Sequence, residues 1–150
     1  MEKLNFPNYN VIIKNKENKS YIFDRVRKKW LMCTKEEWVR VHCVNFLIET
    51  KGYPASWILI EKEIKVYETK KRFDIVVSNL RGENHILIEC KAPSISITQE
   101  TFDQIARYNL SLKSRFLMVT NGFDHYFCQM DYKNKRYSFL KDLPNHISIS

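Results

Sequence analysis

Three charged residues lie inside two apolar runs near the middle of the chain. Asp74 interrupts the run at 72–78, and Glu89 and Lys91 interrupt the run at 85–92. Side chains alternate between the two faces of a strand, so Glu89 and Lys91 share one face and Cys90 takes the other. Asp74 can reach that same face from the neighbouring strand. Buried charges are costly unless they are paired or bound to a metal. The pattern therefore indicates a divalent-cation site that cuts phosphodiester bonds.

That chemistry assigns a role to each residue. Asp74 and Glu89 supply the hard oxygen ligands that Mg²⁺ prefers, the Cys90 backbone carbonyl is a further ligand, and Mn²⁺ is the expected substitute. Lys91 is placed to stabilise negative charge that develops at the phosphate. Glu37, from the first predicted helix, can add another carboxylate.

Each assignment has a plainer alternative. Glu-x-Lys alone also fits a solvated strand face, although the flanking residues 86–88 are apolar enough for a central strand. Asp74 can form a structural ion pair with Arg72 or Lys91. Gln104 and Tyr108 are four residues apart on one helix face, where they can contribute to the site or only pack on the sheet.

The elements around these residues follow from periodicity and turn signals. The polar connection at 79–84 contains Gly82, so the two apolar runs predict a β-hairpin. A helix links the second run to another apolar strand, and this connection predicts parallel pairing of the two. The predicted helices are 34–51 and 98–112, and the predicted strands are 61–67, 72–78, 85–91, 115–120, 126–131 and 136–140, with short strands within 21–31. The fold class is α/β (α+β), a mixed sheet flanked by helices with an additional edge hairpin.

The first helix carries two adjacent acids. The stretch Thr34-Lys35-Glu36-Glu37 fits a capping box, in which Thr34 caps the helix and the Glu37 side chain folds back onto the backbone. Glu37 can therefore be a capping residue, a metal ligand or both. Glu61 and Glu63 lie on a following strand that can approach the site, but they are interpreted as its exposed or edge face.

Composition favours an intracellular domain with a polyanionic partner. The chain has 150 residues, which suits one domain, and a net charge of +8. The four cysteines have no metal-finger spacing, which favours a reduced setting. The first residues form no signal peptide and no run could span a membrane, so a cytoplasmic location is expected.

The motifs together carry a family resemblance. Asp74, Glu89-x-Lys91 and Gln104-x-x-x-Tyr108 resemble the PD-(D/E)xK nuclease signature with its Q-x-x-x-Y accessory motif. Phe73 stands where that family has proline. More closely, the chain from about Thr34 to Leu143 resembles the N-terminal nuclease domain of the restriction subunit of type I restriction enzymes. The segments that carry this likeness are 36–40, 51–54, 72–76, 87–92 and 120–122.

The resemblance implies a restriction-endonuclease-like fold, Mg²⁺ dependence and DNA as substrate. It makes Asp74 and Glu89 metal ligands and Lys91 the catalytic lysine, while Gln104 and Tyr108 support the site or contact DNA. Glu37 would be the first-helix acid, with Glu36 as the alternative. Because the chain has no Walker motif, a separate motor or specificity partner is expected, and a homodimer would suit duplex cleavage.

The expected organisation is a single domain: an N-terminal arm with short strands at 1–33, the nuclease domain at 34–143 and a tail at 144–150. Two rival functions stay open. One is a DNA-binding or assembly module of the same fold with weak or no catalysis, and the other is a nuclease directed at RNA.

Overall fold

The computed structural model describes residues 1–147, so the end of the predicted tail, residues 148–150, lies outside the described part. The elements in chain order are β1 (Ile13–Lys16), β2 (Lys19–Asp24), β3 (Lys29–Met32), α1 (Lys35–Asn45), β4 (Ile58–Val66), β5 (Thr69–Ser78), β6 (Asn84–Cys90), α2 (Gln99–Leu112), β7 (Phe116–Thr120), β8 (His125–Asp131) and β9 (Arg136–Leu140). Within residues 1–147, no helix has the length and apolar character needed to cross a membrane.

Strands β4 to β9 form one sheet of six strands in sequence order, and β1 to β3 form a separate sheet of three. Strands β6 and β7 are parallel, and all other neighbours in the larger sheet are antiparallel. The predicted mixed sheet and its parallel pair are confirmed. The parallel pair follows from α2, because a helical crossover returns the chain to the same edge of the sheet.

Both faces of the larger sheet are covered by apolar side chains. On the α1 side, Ile75 and Ile88 belong to a buried cluster that also includes Val39 of the helix. On the α2 side, Val76 and Leu87 pack in a second buried cluster. A sheet buried on both faces leaves the ends of its strands as the open regions of the molecule.

The first helix begins as predicted but uses its capping residues differently. Thr34 Oγ1 accepts a hydrogen bond from the Glu37 backbone N–H at 3.0 Å. The Glu37 side chain does not complete the capping box, because it binds two arginines. After α1 the chain continues through a π-helical segment, Phe46–Thr50, and Gly52 with φ of +79° then ends the helical region.

The N-terminal arm packs against the turn between β7 and β8. The Asn5 N–H donates to the Gly122 carbonyl at 2.8 Å. Gly122 has a φ of +93°, and a Cβ there would lie 2.8 Å from Leu4 Cδ2. This position therefore needs glycine, both for its left-handed backbone and for the close approach of the arm.

Candidate active site

Strands β5 and β6 separate at the residues singled out in the sequence. Their ladder ends at the pair Ile75 and Ile88, so the next residues, Asp74 and Glu89, lie in the fork between the strands. Asp74 Oδ2 accepts a hydrogen bond from the Cys90 N–H at 2.9 Å. Glu89 Oε1 lies 3.3 Å from the Asp74 N–H, which donates to it. The structure thus brings together the two carboxylates that were predicted to meet.

Glu89 is a buried acid, with only 5% of its surface exposed. Burial, followed by the negative charge of Asp74, raises the pKa of Glu89 to about 8, and the charge of Lys71 opposes the rise. Water no longer solvates this carboxylate and a second one lies beside it, so a cation bound between them would relieve both penalties.

Arg40 is the main functional candidate that the sequence reasoning missed. Its side chain, only 6% exposed, donates from Nη2 to Asp74 Oδ1 at 2.8 Å. The same guanidinium binds Glu37 and lies 3.3 Å from Glu36 Oε1. Asp74 and Glu37 raise the pKa of Arg40 against the opposing effect of burial. The sequence did carry a signal for this role. Arg40 is a charged residue in the buried part of α1, and it follows Glu37 by three residues and Glu36 by four.

A second guanidinium extends this network. Arg27 binds Asp24 at 2.5 Å, Glu37 Oε2 at 3.0 Å and Glu61 Oε2 at 3.3 Å. Glu61 lies on the edge strand β4 with its side chain 36% exposed, as the exposed or edge interpretation expected, and it also joins this network. Glu61 has a φ of +57° and makes no ladder pair, and this irregularity in β4 accompanies its contacts with Arg27 and with Arg40, at 3.7 Å.

The two acids of α1 have different surroundings. Both carboxylate oxygens of Glu37 are held by Arg27 and Arg40, and its side chain is 15% exposed. The Glu36 side chain is 49% exposed. Burial and the charge of Asp74 raise the pKa of Glu36, while Arg40 and Lys91 oppose the rise. Glu36 is the acid with fewer partners, and Glu37 is the one enclosed by the arginines.

Lys91 follows the last residue of β6, and its backbone N–H donates to the Thr120 carbonyl at 2.8 Å. Its positive charge is close enough to oppose the rise in the pKa of Glu36. Among residues 1–147, Lys91 forms no ion pair within 4.0 Å. Asp74 pairs with Arg40 and not with Arg72 or Lys91, so the lysine is not committed to a structural ion pair.

Comparison with known proteins identifies the family. The family model described as "Type I restriction enzyme R protein N terminus" matches residues 35–144. The chain belongs to this family. No curated protein matches it significantly. Among solved structures, a fragment of a proposed HsdR subunit of a type I restriction enzyme from Vibrio vulnificus YJ016 has a TM-score of 0.53 and 19% identity. The match covers 75% of this chain and 24% of that one, and this likeness shows the fold.

Of the two α2 residues predicted to support the site, Gln104 and Tyr108, only Tyr108 contacts the site region. Lys71 Nζ lies 5.1 Å from the centroid of the Tyr108 ring, and the charge of Lys71 also acts on Glu89. Gln104 is exposed and makes no side-chain hydrogen bond within the described residues. Lys71 was missed because it lies just before the predicted strand 72–78, whereas the structure places it in β5.

The donor set of this R-protein domain suits a hard divalent cation, although it is small. In residues 1–147, no group of three or more His, Cys, Asp and Glu side chains is arranged to hold a metal. Asp74 and Glu89 are nevertheless adjacent oxygen donors, and Mg²⁺ is commonly bound by one or two carboxylates with water completing its shell. The Cys90 thiol packs against α1, 3.7 Å from the Cys43 sulfur, and the Cys90 backbone N–H is the group that contacts Asp74.

Proposed function

We propose that this chain is a Mg²⁺-dependent DNA endonuclease domain that hydrolyses phosphodiester bonds. The observation that carries the proposal is the contact between Asp74 and the buried acid Glu89, beside a lysine that has no ion-pair partner in the described residues. Membership in the family of type I restriction enzyme R protein N termini supports the same function.

Asp74 and Glu89 would hold the cation, with the Cys90 carbonyl as a further ligand and Mn²⁺ as the substitute. When bound, the cation would lower the pKa of a water molecule and neutralise charge on the phosphate. Because burial and the charge of Asp74 raise the pKa of Glu89 to about 8, this carboxyl would release a proton when the cation binds. Arg40 fixes Asp74 in place through the 2.8 Å contact.

Lys91 would act on the substrate. Its ammonium group would contact a non-bridging phosphate oxygen and stabilise the charge that develops there as water attacks. No covalent intermediate with the chain is needed. Glu37, or Glu36 as the less enclosed acid, would complete the acidic wall on the α1 side.

DNA is the proposed partner because the chain is basic, with a net charge of +8. Exposed Gln104 is free to contact the substrate, and Tyr108 would orient Lys71 next to the acids. A homodimer would place two sites on a duplex. A separate motor or specificity subunit is proposed as a further partner because the family is named for a restriction enzyme subunit.

One observation favours a second candidate, a DNA-binding or assembly module without catalysis. The guanidinium of Arg40 already neutralises Asp74 at 2.8 Å, so part of the cation's role is met within the chain. In that case DNA would bind without metal-dependent cleavage.

The deciding experiment measures cleavage of supercoiled plasmid and of single-stranded DNA and RNA with Mg²⁺, with Mn²⁺ and with EDTA. Lys91→Ala should lower the rate about a hundredfold or more, because it removes a charge that acts only on the developing negative charge. Lys65→Ala, an exposed lysine of β4, is the matched control and should cleave like the wild type.

Cleavage that survives in Lys91→Ala would contradict the assigned site. Salt-sensitive DNA binding without cleavage under all metal conditions would favour the binding module. Preferential cleavage of RNA would reassign the substrate.

A further inference from the structure

A second charged region lies at the other end of β6, outside the acidic site. A cleft of about 730 Å³ opens there, a volume typical of small-molecule sites. His85, on its wall, is four residues before Glu89 on β6, and this spacing places it about 13 Å from the acids along the strand. The cleft is therefore a separate surface from the proposed nuclease centre.

Three cations reach this cleft from three different segments. Arg81 comes from the β5–β6 loop, Lys113 from the end of α2 and Arg115 from the start of β7. Within residues 1–147, none of them forms an ion pair, and Glu83 is the acid on the cleft wall. The cleft thus carries an excess of positive charge that no described side chain neutralises.

Aromatic rings form another part of the wall, which also includes apolar and asparagine residues. The Trp57 ring is 4.9 Å from that of His146, which is 5.5 Å from Tyr53. His85 is 6.2 Å from the Tyr53 ring. Burial, and then the charge of Arg115 and the neighbouring His146, lower the pKa of His85, as expected where the electrostatic potential is positive.

We propose that this cleft binds a nucleoside phosphate, with the base against Trp57 and the phosphate at Arg81, Lys113 and Arg115. Arginine and lysine side chains without an acidic partner favour binding of a phosphate, because phosphates pair with these cations. Aromatic rings beside them favour binding of a base, because bases stack on aromatic rings. A purely inorganic anion would leave the aromatic wall unused. The nucleotide can be free or can be the phosphorylated end of a strand, since the recognised chemistry is the same.

The test is an NMR titration of the full chain with adenosine 5′-monophosphate, inorganic phosphate and a 5′-phosphorylated oligothymidylate. The readouts are the indole N–H of Trp57, assigned with Trp57→Phe, and the ring of His85. The monophosphate should shift both signals, whereas phosphate should shift only His85. Arg115→Ala should weaken nucleotide binding about tenfold, the value of one charged hydrogen bond. Lys16→Ala, an exposed lysine of β1, should leave binding unchanged.

If only the oligonucleotide binds and Arg115→Ala weakens it, the occupant is a strand end. The proposal is overturned if neither nucleotide shifts Trp57 at millimolar concentration, or if Arg81→Ala and Arg115→Ala bind as well as Lys16→Ala. These outcomes do not depend on metal or on cleavage, so failure of the nuclease proposal would be recognised separately.

Discussion

The two ends of strand β6 handle charge in opposite ways. At the Glu89 end, the guanidiniums of Arg27 and Arg40 are surrounded by acids from four strands and helices or their flanks. These acids are Asp24, Glu36, Glu37, Glu61 and Asp74, so most of the charge at this end is paired within the chain. At the His85 end, cations gather beside aromatic rings without acidic partners in the described residues.

This difference separates structural charge from charge that is available to a ligand. A paired, partly buried network is sensitive to the loss of any one member, because the remaining charge stays buried without compensation. Exposed, unpaired cations contribute little to folding, so their loss should affect binding alone. Glu89 is the exception at the acidic end, since burial and the charge of Asp74 raise its pKa and no arginine pairs with it in the described residues.

The largest expected effect is at Arg40. Arg40→Met should lower the free energy of unfolding by about 3 to 5 kcal/mol, because Asp74 and Glu37 would keep their charge in a poorly hydrated site. Urea denaturation measures the change. Arg25→Met is the matched control: Arg25 pairs with Glu49 at 2.5 Å, but both side chains are about half exposed. That variant should lose less than about 1 kcal/mol.

A loss at Arg40 as small as the loss at Arg25 would contradict the idea of a sensitive buried network. A second variant sharpens the result. Adding Glu37→Gln to Arg40→Met should recover part of the lost stability, because it removes one of the acids that lose their contact with Arg40.

The contrast between Arg40 and Glu89 also shows what could be predicted from sequence. Alternation along β6 and its hairpin with β5 were enough to bring Asp74 and Glu89 together, because strand periodicity is a local property. The helical connection to β7 likewise predicted the parallel pair. Arg27, Arg40 and Glu61 meet from three segments whose local patterns carry no sign of one another. The position of the turn between β4 and β5 was predicted incorrectly. Tyr67 has a φ of +56° in this turn, at a position where glycine or asparagine would have been a recognisable turn signal.

An intermediate effect is expected at Glu89 and depends on pH. Burial and Asp74 raise the pKa of Glu89 from 4.5 to about 8, so the folded chain keeps a proton that the unfolded chain has lost. The metal-free protein should therefore lose stability as the pH rises through this window. Glu89→Gln should remove this dependence and raise the stability at pH 8 by about 1 to 3 kcal/mol.

Thermal unfolding between pH 5 and pH 8, with and without Mg²⁺, measures this pH dependence of stability. Mg²⁺ should stabilise the wild type at the upper end of the range and leave Glu89→Gln unchanged. Glu68→Gln, an exposed acid in the β4–β5 turn, is the control and should follow the wild type. A wild type that gains stability toward pH 8 without metal would contradict the repulsion between Asp74 and Glu89.

The smallest effect on stability is expected at Lys113, in the cationic cleft. Lys113 ends α2 in the left-handed region, with φ of +53°, where a side chain is strained and glycine is not. Lys113→Gly should therefore stabilise the fold by about 0.5 to 1 kcal/mol. The same change removes a cation from the cleft, so binding of adenosine 5′-monophosphate should weaken as stability rises. Lys113→Asn, which also tolerates this backbone, should behave in the same way. Unchanged binding of adenosine 5′-monophosphate alongside a gain in stability would mean that the lysine serves only the helix end and does not contact the ligand.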